Sequence, residues 1–119
     1  TFAHAYEAAL GYSKKLNHGE AVILGIITAT NFSLDTKFIQ KRESKLIMAH
    51  IRKMNLPSNI NSYFSSKNLN SILSFMVKDK KNTSKKINLI LLKKIGSTII
   101  NNQYSISKIK KFLKKELSN

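Results

Sequence analysis

The chain has 119 residues, 42% of them hydrophobic, with one Pro, no Cys and no Trp, which suits one compact domain and excludes outright disorder, a disulfide framework and any thiolate metal site. The formal charge is +15, yet all but Arg42 and Arg52 of the 21 basic residues are Lys, in a chain crowded with Asn and Ile. That is the vocabulary of an AT-rich genome, whereas a nucleic-acid reader more often supplies Arg with interleaved aromatics.

No apolar run approaches the roughly 18 residues of a membrane span; the longest extends from Ala21 to Ile27. With no signal or transit peptide visible, the expectation is a cytoplasmic protein that binds neither membrane nor nucleic acid. Position 1 is Thr rather than Met, which suggests a trimmed chain with something important ahead of it.

Taken in order, Phe2 to Leu10 is rich in Ala, Glu and Leu and reads as a helix bearing His4, with Gly11 as its stop. Tyr12 to Asn17 reads as a polar connection. From His18, the stretch HGEAVILGIITATNF is apolar on nearly every side, the pattern of a central buried helix. His18 then sits at its N-terminus, where free N–H groups and the helix dipole make a small electropositive site. Asp35 or Thr36 is expected to cap a third helix running to about Met54, with Phe38, Ile39, Leu46, Ile47 and Ile51 as its apolar stripe and Asn55, Leu56 and Pro57 as its end. Ser65 or Ser66 caps a fourth helix carrying Leu69, Ile72, Leu73, Phe75, Met76 and Val77, closed by the charged run Lys78 to Asn82. Thr83 to Lys86 is a polar turn. Ile87 to Leu92 is β-branched, apolar and without helical period, a strand that Gly96 turns back into Thr98, Ile99 and Ile100 as a hairpin. Ser105 or Ser107 caps a final basic amphipathic helix with Ile106, Ile109, Phe112, Leu113 and Leu117 inward. The expected fold is mainly α, a multi-helical domain with a small β-hairpin.

Three histidines are available for chemistry. His50 lies in a charged amphipathic helix and reads as a surface imidazole. His4 and His18 both have small neighbours, in Ala3-His4-Ala5 and His18-Gly19-Glu20, and stand at neighbouring ends of two helices joined by a short link. Such a pair leaves room for a ligand, and neutral imidazole is a common metal ligand and general base. On spacing alone, two histidines fourteen apart are more often structural or incidental than catalytic.

These residues carry a resemblance. The stretch T-F-A-H-A-Y-E-A-A-L-G-Y, the block L-N-H-G-E-A-V-I-L-G-I, and the D-K-K-N of Asp79 to Asn82 followed by ILLKKIG resemble, in order and spacing, the C-terminal domain of 3-dehydroquinate synthase. Leu56-Pro57 falls where that family has G-L-P, and the likeness runs from Thr1 to about Leu117. The resemblance implies the helical C-terminal domain over residues 1–119, with the NAD-binding domain outside this chain. It implies that His18 ligates a divalent metal (Zn or Co) and helps bind substrate, that His4 accepts a proton or contacts substrate as the catalytic histidine, and that Lys80 binds an anionic sugar phosphate through its compact positive charge. Alone, Lys80 would read as a solvated surface lysine.

By the same resemblance the full-length enzyme is a lyase of the shikimate pathway, a homodimer that uses NAD and the metal to convert 3-deoxy-D-arabino-heptulosonate 7-phosphate to 3-dehydroquinate and phosphate. The family's first metal-ligating histidine would fall immediately before Thr1 and its glutamate ligand further upstream, so the isolated chain is expected to be inactive. Ala3 replaces a family glycine and is expected to narrow the pocket slightly, and Asn17 lengthens the link before His18. Another sugar-phosphate cyclase, a metal-dependent alcohol dehydrogenase relative, and a free-standing basic helical module binding nucleic acid or an acidic partner remain as alternatives.

Overall fold

A glycine in the left-handed region closes the first helix. Gly11 has φ +65°, a conformation open to glycine without steric cost, and it sits where the Gly11 and Tyr12 N–H groups reach back to the carbonyls of Ala8 and Glu7, both at 2.9 Å. This double closure is a Schellman motif, and it fixes the last turn of α1 (Phe2–Ala9). The computed structural model describes residues 2–12, 15–55, 59–78, 86–94 and 97–118. Among these, α1 is followed by α2 (His18–Asp35), α3 (Lys41–Lys53), two single 3-10 turns (Ile60–Ser62 and Ser66–Asn68), α4 (Leu69–Lys78), a hairpin of β1 (Lys86–Lys94) and β2 (Ser97–Ser105), and α5 (Ile106–Leu117). The mainly helical reading with one hairpin therefore holds. Thr1, Leu56-Pro57, the Asp79 to Asn82 block with Lys80, most of the expected turn at Thr83 to Lys86, and Gly96 lie outside the described residues.

The second helix is longer than its sequence suggests. Instead of capping a new helix, Asp35 is the last residue of α2, and the third helix begins at Lys41 after Gln40. The stop is another Schellman closure, Phe38 N–H to Ser33 O at 2.8 Å and Lys37 N–H to Leu34 O at 3.1 Å, but its left-handed residue is Lys37, at φ +64°. Without a glycine there, the break is invisible to composition. A side chain in this region costs about 1 kcal/mol, so Lys37→Gly is expected to raise stability by roughly 0.5 kcal/mol after the entropy of the freer unfolded chain is subtracted. The urea midpoint of the variant, compared with the parent at matched m-value, reads this directly.

Three burial patterns also depart from expectation. Leu46 is 50% exposed, so the apolar stripe of α3 is narrower than predicted, with Ile51 buried and Ile47 half-buried. Conversely, Leu16 in the supposedly polar connection is only 2% exposed. It precedes the N-cap of α2, and Ala21, the fourth residue of that helix, is fully buried; these are the two positions of a hydrophobic staple, which sets the angle at which the chain enters the helix. Nor is α2 buried all round, since Ile26 on its outer side is 41% exposed.

Ser65 caps the turn that leads into α4, its side chain and that of Asn68 closing a reciprocal box, and Ser105 caps α5 by accepting from Lys108 N–H. The hairpin is antiparallel, with Ile87 opposite Tyr104 and Leu89 opposite Asn102. Ile87 and Leu89, two residues apart, are buried on one face, as strand alternation requires. The register shifts after Leu89 and again after Leu92. The second strand runs on to Ser105, past the expected Ile100, because cross-strand pairing carries Asn and Gln residues of low β-propensity.

The core forms where α1 and the hairpin meet α2 and where α4 packs across α1, β1 and α5. At one end, α1 crosses α2 so closely that a Cβ built on Gly25 would lie 3.0 Å from both the backbone nitrogen and the Cβ of Ala3. At the other, the Phe32 ring meets Tyr104 and Phe112 edge-on, at 4.9 and 5.0 Å between centroids. Between them Tyr6 is fully buried, its hydroxyl 2.6 Å from Thr28 Oγ1. Because the Thr28 hydroxyl donates to Leu24 O at 2.8 Å, the Tyr6 hydroxyl is the donor to Thr28.

Burial pushes the Tyr6 phenol well above its ordinary range, the Thr28 hydrogen bond opposing and the Glu116 charge adding to the rise. The unfolded phenol ionises near pH 10 while the folded one holds its proton, so the stability from Tyr6 is whole below that pH and is lost as pH rises beyond it. Tyr6→Phe is expected to cost about 1 kcal/mol at neutral pH through the lost hydrogen bond and to soften the alkaline fall in stability. Urea midpoints at about pH 8 and about pH 11 for both proteins check the sign.

Candidate functional site

The start of α2 is built by three residues of one sequence block, Asn17, His18 and Glu20. Asn17 is the N-cap: its side chain accepts from Glu20 N–H at 2.8 Å, and its own N–H donates to Glu20 Oε1 at 3.0 Å, a capping box. Glu20 is further tied by the Tyr63 hydroxyl, which donates to Oε2 at 3.4 Å. Burial and the neighbouring Glu20 charge raise the Tyr63 pKa, which keeps that hydroxyl a donor. His18 is thereby placed as the first helical residue, its side chain 70% exposed.

The other half comes from α1. His4 is exposed, and Glu7 follows three residues later, the spacing that stacks side chains on one helical face. The Glu7 side chain is only 14% exposed, and its Oε1 lies 2.9 Å from His18 Nδ1. The close crossing at Ala3 and Gly25 holds α1 against α2, and the Schellman closure on the Glu7 carbonyl fixes the last turn of α1. Glu7 thus links the helix of His4 to the ring of His18. A carboxylate only accepts, so Nδ1 carries the proton and, in the neutral ring, Nε2 keeps its lone pair.

The surroundings of the site qualify its electrostatics and its packing. The electropositive start expected for α2 is offset by Glu20 in its first turn and by Glu7 beside it. Ala3 is directed at Gly25 and is partly buried there, so its methyl is spent on helix packing. His50 is exposed in the last turn of α3, where a surface imidazole was expected. Glu7 was missed; its signal was the three-residue step from His4 on a helix packed against the one that begins at His18. Among the described residues no group of three His, Cys, Asp or Glu could hold a metal by itself, and no helix is long and apolar enough to cross a membrane.

The fold has a solved counterpart and the sequence has relatives. A crystal structure of 2-deoxy-scyllo-inosose synthase complexed with carbaglucose-6-phosphate, NAD+ and Co2+ superposes with a TM-score of 0.65 at 18% identity, over 96% of this chain and 34% of that one. By fold, then, the chain matches about a third of that synthase, as a helical domain with one hairpin. Residues 1–82 match the family model described as 3-dehydroquinate synthase C-terminal, and the chain belongs to that family. A 3-dehydroquinate synthase of Pelagibacter ubique (strain HTCC1062) is 59% identical over 118 residues, 99% of this chain and 32% of the relative. That of Bradyrhizobium diazoefficiens is 32% identical over 123 residues, again 99% of this chain and 32% of the relative. The chain therefore spans about a third of the length of these relatives.

Proposed function

We propose that this chain is the metal- and substrate-binding portion of a 3-dehydroquinate synthase, an enzyme that converts 3-deoxy-D-arabino-heptulosonate 7-phosphate to 3-dehydroquinate and phosphate. The observation that carries the reading is the 59% identity over 118 residues to a 3-dehydroquinate synthase. NAD is assigned mainly to residues outside this chain, as are the remaining metal ligands. His18 suits a divalent cation such as Zn2+ or Co2+ by its chemistry: an exposed imidazole with one nitrogen engaged by Glu7 and the other available. When bound, the metal and NAD supply polarisation of a substrate oxygen and hydride exchange.

The chain's own residues do the rest. His18 helps fix the position of the reacting hydroxyl, His4 takes or positions a proton near it, and Lys80 offsets the negative charge of the substrate. The full-length protein, as a homodimer, is the catalytic unit in this reading. Its test is product analysis of the full-length protein supplied with NAD and Co2+ on a panel of sugar phosphates. Dehydroquinate and phosphate formed only from the seven-carbon acid phosphate support the assignment. A carbocycle formed instead from a hexose phosphate would make it another cyclase of the same fold.

A further inference from the structure

The carboxylate of Glu7 has no part in the roles assigned above, yet it is the group that meets His18. We propose that Glu7 is a positioning residue that holds His18 in its Nδ1–H tautomer and turns Nε2 toward the metal; the proposal rests on the reading of His18 as a metal ligand. The geometry is specific. Oε1 of Glu7 lies 2.9 Å from Nδ1 across two helices, eleven residues apart in sequence. Glu7 is 14% exposed while His18 is 70% exposed, so the acid is the anchored partner and the ring the one that needs holding. A ring this open, at the first position of a helix, would otherwise sample both tautomers and several rotamers. Anchoring of Glu7 is itself built in: its carbonyl closes the α1 terminus through Tyr12 N–H at 2.9 Å, and α1 is locked to α2 where Ala3 meets Gly25. An outer carboxylate that accepts from the far nitrogen of a ligating imidazole raises its basicity and fixes its direction, and losing such a partner typically weakens metal binding about 10–100-fold.

The experiment uses the full-length protein with Glu7→Ala, Glu7→Gln and His18→Ala variants. Zn2+ affinity is read by competition with a chromogenic chelator, and the tautomer of His18 by nitrogen NMR of the histidine-labelled, metal-free protein. Glu7→Ala is expected to bind Zn2+ about 10–100-fold more weakly and to let the proton of His18 redistribute to Nε2. Glu7→Gln, whose amide oxygen still accepts from Nδ1–H, is expected to keep the tautomer and most of the affinity. Equal Zn2+ affinity for Glu7→Ala and the parent, with His18→Ala impaired, overturns the proposal while leaving the ligand role of His18 intact. Unimpaired binding by His18→Ala overturns the ligand role instead. The unmodified protein supplies a test that no folding defect can obscure: a metal-free His18 found mainly as the Nε2–H tautomer sinks the proposal outright.

Discussion

Replacing His18 by Ala in the full-length protein is expected to lower bound metal and turnover together, by more than the roughly 100-fold upper range for loss of an outer hydrogen-bond partner. The expectation follows from position. Asn17 and Glu20 close the helix start around His18 by each accepting the other's backbone N–H on its own side chain, bonds that alanine at 18 preserves, so the variant keeps its fold and loses only the imidazole. Glu7 is then left beside a void, still served by solvent at the edge of an exposed site. Metal content by elemental analysis and steady-state turnover with saturating Co2+ decide the matter: a protein that retains a full complement of metal without His18 removes it from the ligand set.

Phe32→Ala is expected to be the most damaging single change to stability, at about 3–5 kcal/mol. Phe32 is fully buried, and its ring joins three elements, standing edge-on to Tyr104 in β2 and Phe112 in α5 from its place in α2. Aromatic pairs in this geometry add about 0.5–1.5 kcal/mol each beyond burial, and their loss leaves a cavity bordered by the hairpin and the last helix. Urea denaturation followed by circular dichroism measures the deficit. A loss below about 1 kcal/mol would mean that the surrounding side chains collapse into the space, and would contradict a tightly packed junction.

The helices with clean caps and regular stripes were legible in the sequence. Ser105 before the pattern of Ile109, Phe112, Leu113 and Leu117 placed α5, and Gly11 placed the end of α1, because each rests on a local rule that no distant contact overrides. The boundary between α2 and α3 was not legible, since the left-handed stop falls on Lys37, which composition does not flag. Leu16 misled for a different reason: one apolar residue among lysines and asparagine reads as a loop until the helix it staples is in place. At the site, His4 and His18 stood out through their motif, whereas Glu7 looked like an ordinary helix former. Its contact with His18 exists only after α1 has docked, a tertiary fact that no local window contains.

The eighteen residues of α2 extend for about 27 Å at the usual rise, and the helix divides its duties by position. Its first turn carries the imidazole, while its last two turns hold the C-terminal third of the chain, through Phe32, through Asn31 Nδ2 donating to Glu116 Oε1 at 2.7 Å, and through Asp35 facing Lys115 at 3.7 Å. The matched family region, residues 1–82, contains all of α2 but stops short of the hairpin and α5. The part of the chain beyond that region is thus a buttress. It grips the helix at the end remote from His18, so a packing defect there would reach the imidazole only through the full length of α2.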